Sequence, residues 1–499
     1  MENENNKRII FWIDGAFTNF CVSYFLQKKI NANFFCIIDS SGHQKSFFEN
    51  QKLVNFRKKW FYHDNISLNF HSIDYDFLKK FEKKYNINLW KLAINERIFY
   101  RFNRIHKFQT EEILSILEDE CKLFDKILTE TNPDFFITKE PPLHHHEIFY
   151  EMCRSKGVKI LMLNIPHIGK CIISEEAKII DNNESEFKIT RSKNRTFDEL
   201  KEFLDELKMS KTIEKFSLKY MTSKKTAINA IFRFLFSKNI SVNTHYSYIG
   251  RNKRRVIVDS LIQILKKYFR KYYIDHNLKK LLNSSIPFVY FPLAMDEERN
   301  LLIAAPFYTG QIEIIKNVAR SLPVGYKLFV KETPGMVFRK WRKISEYKEI
   351  MDIPNVELYH PSLQSDLFLN NCSLVFTIGG SSSLEAAFYK KPSISLTKYG
   401  FSVISSIKLV QNFEELANAI SDSLNSSVSN DELDRYVSLL EKNLIDFDLI
   451  GFESSYQNYF YQNGYYLDIE IDEKQMKSFI DSHHEELEYL SEQFVKRII

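Results

Sequence analysis

The sequence predicts an α/β protein of two doubly wound, Rossmann-type domains in tandem, with a basic helical insertion between them and helices at the C-terminal end. Three observations carry that prediction. Short apolar, partly β-branched runs alternate with helical stretches in two separate regions. One stretch, Leu374 to Leu396, reads as strand, small-residue turn, helix and strand within a single βαβ unit. The stretch between the two regions is helical, basic and nearly free of glycine apart from Gly250.

Taken in order, Lys7 to Ile13 reads as a buried strand, Ala16 to Lys29 as a helix and Phe34 to Ile38 as a second strand. Glu111 to Glu130 follows as a helix, Pro133 to Ile137 as a strand, His146 to Lys156 as a helix and Val158 to Leu163 as a strand. These elements make an N-terminal domain, 1–180. The basic helical region, 181–285, places Ile257, Leu261, Ile264, Leu265 and Phe269 at helical spacing. The α/β pattern resumes in 286–425, with strands at Phe288 to Leu293, Lys327 to Val330 and Val356 to Tyr359 and a helix at Gln311 to Arg320. The remainder, 426–499, is mostly helical with an aromatic interruption at Tyr456 to Tyr466.

Composition narrows the class. A chain of 499 residues with 44% hydrophobic and 15% aromatic content supplies real cores and is not a disordered protein. The six cysteines lack any C-x-x-C spacing and sit mostly in apolar stretches, which fits a reducing cytoplasm. The polar start, Met1 to Arg8, does not have the layout of a secretory signal, and no apolar run reaches the ~18 to 20 residues that span a bilayer. The expectation is a cytoplasmic protein, soluble or peripheral on the inner face of the membrane. The net charge of +5 is unevenly placed: 18 Lys and Arg against Glu214, Asp259 and Asp275 lie in 207–281, leaving the rest of the chain acidic. Such a segment suits an anionic membrane surface. Tyr268, Phe269, Tyr272 and Tyr273 interleave with the charge, but no nucleic-acid motif accompanies it, so no nucleic-acid partner is expected.

The turn after Leu374 to Ile378 has the chemistry of a phosphate site. Gly379-Gly380 allows a sharp turn where a Cβ would obstruct, and Ser382 with Glu385 fits an S-x-x-E capping box at a helix start. Free N–H groups and the helix dipole favour an anion there. Strand-end loops at Ala294 to Arg299, Lys331 to Pro334 and Tyr359 to Ser362 accompany it. Lys331 can neutralise phosphate, the Ser381-Ser382 turn can donate hydrogen bonds, and Glu332 or Glu385 can accept ribose or sugar hydroxyls.

The run Val289 to Leu293, Glu298-Arg299, Ala305-Pro306, Gln311, Leu322-Pro323, Lys327 to Glu332, Pro334, Asn355-Val356 and Leu374 to Pro392 resembles the capsule polysaccharide biosynthesis family. These are bacterial glycosyltransferases related to Kdo transferases. The resemblance is detailed over 286–400; the N-terminal half is similar in layout, through Asn132 to Phe135 and His167 to Lys170. It implies a GT-B-like fold with two domains facing a cleft. A nucleotide-sugar donor would bind the C-terminal domain, a glycan or lipid-linked glycan acceptor the N-terminal one, with no metal and no further cofactor. The implied donor residues are Glu298, Arg299, Lys331, Glu332, His360, Gly379, Gly380, Ser381, Ser382 and Glu385. The implied transfer is to a surface polysaccharide.

Two departures stand out. Thr333 replaces a histidine common in the family, and Ala294 to Glu298 replaces its His-Tyr-Gln-Pro-Glu, so His360 is the candidate substitute for the phosphate contact. For the general base the candidates are Asp14 at the end of the first strand and Glu140 or Glu147 beside His144-His145-His146. The three histidines, read as one loop, do not converge on one ion; His144, His145, His167 and Lys170 are read as lining the acceptor side. Two other readings share the fold: a catalytically degenerate glycan-binding or assembly partner, and a nucleotide-sugar 2-epimerase.

Overall fold

The computed structural model describes residues 6–207, 235–236, 245–283, 285–461 and 469–499. Much of the basic segment, 208–234 and 237–244, and the centre of the aromatic interruption, 462–468, lie outside the described residues. The chain divides into two compact units: 1–181 with 208–253 and 444–499, and 182–207 with 254–443.

In the first unit, strands β1 (Lys7–Asp14), β2 (Ala32–Asp39), β3 (Lys58–Phe61), β4 (Phe135–Lys139), β5 (Lys159–Asn164) and β6 (Ile172–Ser174) form one sheet in the order β3-β2-β1-β4-β5-β6. All neighbours are parallel except β5 and β6, so the sheet carries one antiparallel edge strand. Side-chain alternation along β1 builds two cores from one strand. Ile9, Phe11 and Ile13 face a layer made by the helix Thr18–Lys29 and the C-terminal helices Glu473–Ser482 and His484–Ile498. Ile10 and Trp12 face the opposite layer, where Thr110–Thr131 and His144–Ser155 pack. The terminal helices therefore form no separate body: Leu449–Phe460 and those after it complete the first sheet, while Asn430–Asn443 packs in the second unit.

In the second unit, β7 (Phe288–Pro292), β8 (Lys327–Lys331), β9 (Val356–Tyr359), β10 (Leu374–Thr377), β11 (Ser393–Ser395) and β12 (Ile407–Leu409) form an all-parallel sheet ordered β12-β11-β10-β7-β8-β9. Both orders reverse direction once, between β1 and β4 and between β7 and β10. In open α/β sheets ligands collect at the carboxyl ends of the strands flanking such a reversal.

The described part of the basic segment is dominated by the 25-residue helix Lys253–Asn277. It packs sparingly: Gln263 and Ile274 are buried, whereas Val258, Leu261, Leu265, Tyr268, Phe269 and Tyr272 are exposed. No helix among the described residues is long and apolar enough to cross a membrane.

Candidate functional site

At the reversal in the second sheet, the carboxyl ends of β7, β8 and β10 bring together the Ala294 to Arg299 loop, Lys331 and the Gly379 to Glu385 turn. Lys331 ends β8 opposite Pro292 and is only 4% exposed. Among the described residues no carboxylate pairs with its Nζ. Burial lowers its pKa to about 8, with the negative charges of Glu332 and Glu385 acting in the opposite direction. A buried cation that no carboxylate pairs with directly, at a strand end, has the chemistry to attract an anion.

The turn differs from the expected one in its bonding. A Cβ on Gly379 would lie 2.9 Å from Thr397 Oγ1, so glycine is required there by close approach. The N–H groups of Gly379 and Gly380 donate to Thr377 Oγ1, at 3.2 and 3.0 Å, and are thereby occupied. The capping box at Ser382 does not form. The helix Ser382–Phe388 is preceded by Ser381, whose hydroxyl donates to Glu385 Oε1 at 2.6 Å, and Glu385 N–H donates to Ser381 O. The cause is a helical backbone already at Ser381, with φ −58° and ψ −22°, which moves the helix start one residue earlier than the S-x-x-E spacing implies. The N–H groups of Ser381 and Ser382 have no partner among the described residues.

Glu332 does not face a ligand. It is fully buried, its Oε2 accepts from Arg342 Nε at 2.9 Å and Tyr347 Oη at 2.7 Å, and its Oε1 accepts from the Thr333 N–H at 2.8 Å. Arg342 also bonds Asp296 and donates to Ala294 O at 2.5 Å. Gln311 holds the same loop through Asp296 at 2.6 Å and Ala294 at 2.9 Å. Glu332 thus fixes the loop after β7 against the end of β8. Glu298 and Arg299, at the start of the short helix Arg299–Leu302, lie on this clamped loop. His360 is held by Asp275 at 3.1 Å and Ser362 at 2.6 Å, which ties the end of β9 to the helix Lys253–Asn277. Both of its ring nitrogens are occupied, so it does not replace the missing histidine. Thr333 itself begins the 3-10 turn Pro334–Val337.

At the reversal in the first sheet, Asp14 closes β1. Its Oδ1 accepts from the Ala16 N–H at 3.0 Å and its Oδ2 pairs with Lys139 at 2.5 Å. Gly15 beside it is fixed by close approach: a Cβ would lie 2.7 Å from Tyr461 Oη, which donates to Gly15 O at 2.6 Å. Glu453 joins this group from the helix Leu449–Phe460. Burial raises its pKa, Lys139 opposes that and Asp14 adds to it. A carboxyl with a raised pKa beside an ionised partner is suited to taking a proton. Nothing in the local sequence marks Glu453, because it comes from the far end of the chain. Glu140, next after β4, pairs with Lys178 at 3.6 Å.

The histidines are placed differently from the expected lining. His144, His145 and His146 are the first residues of the helix His144–Ser155 and are all but fully buried among the residues packed on Trp12. His146 stacks on Trp12 with centroids 4.1 Å apart and bonds Thr138 at 2.6 Å. His144 Nδ1 lies 2.9 Å from Glu96 and its Nε2 3.0 Å from Glu120. Burial disfavours its charge, but the two carboxylates outweigh that and raise its pKa to about 10. His145 Nε2 lies 2.9 Å from Asp39, which also bonds His63 at 3.2 Å. His167 adopts a left-handed backbone, φ 65°, between β5 and β6; burial, then Lys178, pushes its pKa well down. Lys170 pairs with Asp446 at 3.1 Å on the surface.

The fold is α/β and GT-B-like, with a Rossmann-type sheet in each of two units. Residues 196–404 match the family model described as capsule polysaccharide biosynthesis protein. Among solved structures the chain is similar to the beta Kdo 2,7 transferase KpsC of Thermosulfurimonas dismutans, at 8% identity over 64% of this chain and 79% of that one, with a TM-score of 0.30. It is similar to the UDP-GlcNAc 2-epimerase of Neisseria meningitidis at 11% identity, over 87% of this chain and 100% of that one, with a TM-score of 0.22. Likenesses of this size say nothing of activity. No curated protein sequence matches the chain.

Proposed function

We propose that the protein is a glycosyltransferase of capsule-type polysaccharide synthesis whose second unit holds a nucleotide-sugar donor. The observation that carries the proposal is Lys331, a buried and unpaired cation at the sheet reversal of the segment that matches the family. In this reading Lys331 neutralises the donor phosphate, the N–H groups of Ser381 and Ser382 donate to it, and Glu385 accepts a hydroxyl of the ribose or sugar. Glu332 and Arg342 position the loop rather than touch the donor. In the first unit Glu453, with Asp14 and Lys139, removes the acceptor proton.

The helix Lys253–Asn277 would bring the enzyme to its acceptor. Val258, Leu261, Leu265, Tyr268 or Phe269, and Tyr272 follow one another every three or four positions and are exposed, with Arg254, Lys266, Lys267 and Lys271 interspersed. That pattern fits a helix lying in the surface of an anionic membrane, where lipid-linked glycans reside.

The test is transfer itself. CMP-, UDP-, GDP- and dTDP-sugars labelled in the sugar are incubated with lipid-linked and soluble capsular acceptors, and label in the glycan is counted. Transfer from one nucleotide class, lost in Lys331→Ala and Glu453→Gln, is the expected result. Conversion of the donor sugar without any acceptor would replace this reading with an epimerase.

A further inference from the structure

The most unusual chemistry outside the donor site is the buried group around Glu120, His144 and His145 in the first unit. One ligand-capable atom from each of the three lies within 4.8 Å of the others, and all three residues are buried. The surroundings leave each histidine one nitrogen. Glu96 occupies His144 Nδ1, at 2.9 Å, so Nε2 is the nitrogen turned to Glu120, 3.0 Å from its Oε1. Asp39 occupies His145 Nε2, at 2.9 Å, and the remaining Nδ1 is buried with no partner. Glu120 Oε2 is likewise buried with no partner, while Oε1 accepts from the Tyr62 hydroxyl.

A carboxylate on the outer nitrogen of each of two histidines is how metal-ligating imidazoles are oriented and made more basic. Two such histidines and a carboxylate form a donor set suited to zinc or a metal of similar softness. We propose that Glu120, His144 Nε2 and His145 Nδ1 bind one divalent transition-metal ion of the zinc type, with Glu96 and Asp39 as the carboxylates that orient the two histidines. The expectation that the histidines serve no metal assumed a loop. In the structure they open a helix, and only two of the three are needed, because the helix Thr110–Thr131 supplies Glu120. His146 is turned to Trp12 and Thr138 and takes no part.

The ion would join this helix to His144–Ser155 beside the end of β2, and the site is independent of the donor reading. The test uses the full chain without an affinity tag. Protein stripped with a chelator is titrated with Zn2+ and with Co2+, following bound metal by mass spectrometry and cobalt by its visible absorption. The expected result is one ion per chain, a tetrahedral cobalt spectrum and a thermal midpoint that rises with free zinc. Glu120→Gln removes the stoichiometric site. Asp39→Asn, which spares all three ligands, weakens binding by about 10- to 100-fold without abolishing it. Wild-type protein that takes up neither ion, or uptake unchanged in a folded Glu120→Gln and in Asp39→Asn, overturns the proposal.

Discussion

Lys331 exposes the conflict between stability and function in a single side chain. Its pKa of about 8 lies below the ordinary lysine value, so between those two pH values the unfolded chain binds the extra proton. Stability contributed at this position is therefore lowest below pH 8 and rises as pH increases from about 8 toward 10.4, by an amount on the order of 3 kcal/mol. Lys331→Met should raise the thermal midpoint at pH 7 while abolishing donor binding, a pairing expected of a functional residue and not of a structural one. Thermal melts and titrations on the same samples check it. Donor affinity should also fall as pH rises above about 8 and be flat from pH 7 to 9 in Lys331→Arg. Glu332 and Arg342 behave in the opposite way. Arg342→Met leaves a buried carboxylate without its partner and should cost about 3–5 kcal/mol. Adding Glu332→Gln should recover part of that loss in denaturant unfolding; a double variant no more stable than Arg342→Met would show that the pair does not account for the cost.

Among the elements, the strands were legible and the contacts between distant side chains were not. Apolar runs such as Lys7 to Ile13 and Leu374 to Ile378 announce themselves because both sheet faces are covered, which leaves no polar alternation. The Gly379 turn was legible as a turn because close packing on Thr397 excludes a Cβ. The box at Ser382 was not, since one residue of helical backbone at Ser381 redirects Glu385. Arg342 and Glu453 carry no local signal: one is defined by Glu332 and Asp296, the other by Lys139 and Asp14. For the helix Lys253–Asn277, sedimentation with anionic vesicles should fall as salt rises and should be lost in Leu265→Asp with Phe269→Asp. Equal sedimentation with neutral vesicles would contradict an electrostatic contribution.

For the molecule as a whole, the chain crosses between its units four times, and its last segment returns to cover the first sheet. Phe452, Met476, Phe479, Leu487, Leu490 and Phe494 are buried in that layer. Each contributes about 1.5–3 kcal/mol by burial, so together they match or exceed the ~5–15 kcal/mol net stability of a typical domain. A chain ending at Asn443 should therefore fail to fold its first unit, seen as loss of the cooperative transition or as aggregation. A soluble truncated chain with two intact melting transitions would refute that.

The anion site proposed around Lys331 is tested by calorimetric titration of nucleotide-sugars into the wild type and Lys331→Ala. The predicted result is one site for one nucleotide class, competed by the free nucleoside diphosphate or monophosphate and lost in the variant. Equal binding by both proteins, or none by a folded wild type across all four nucleotide classes, would contradict it.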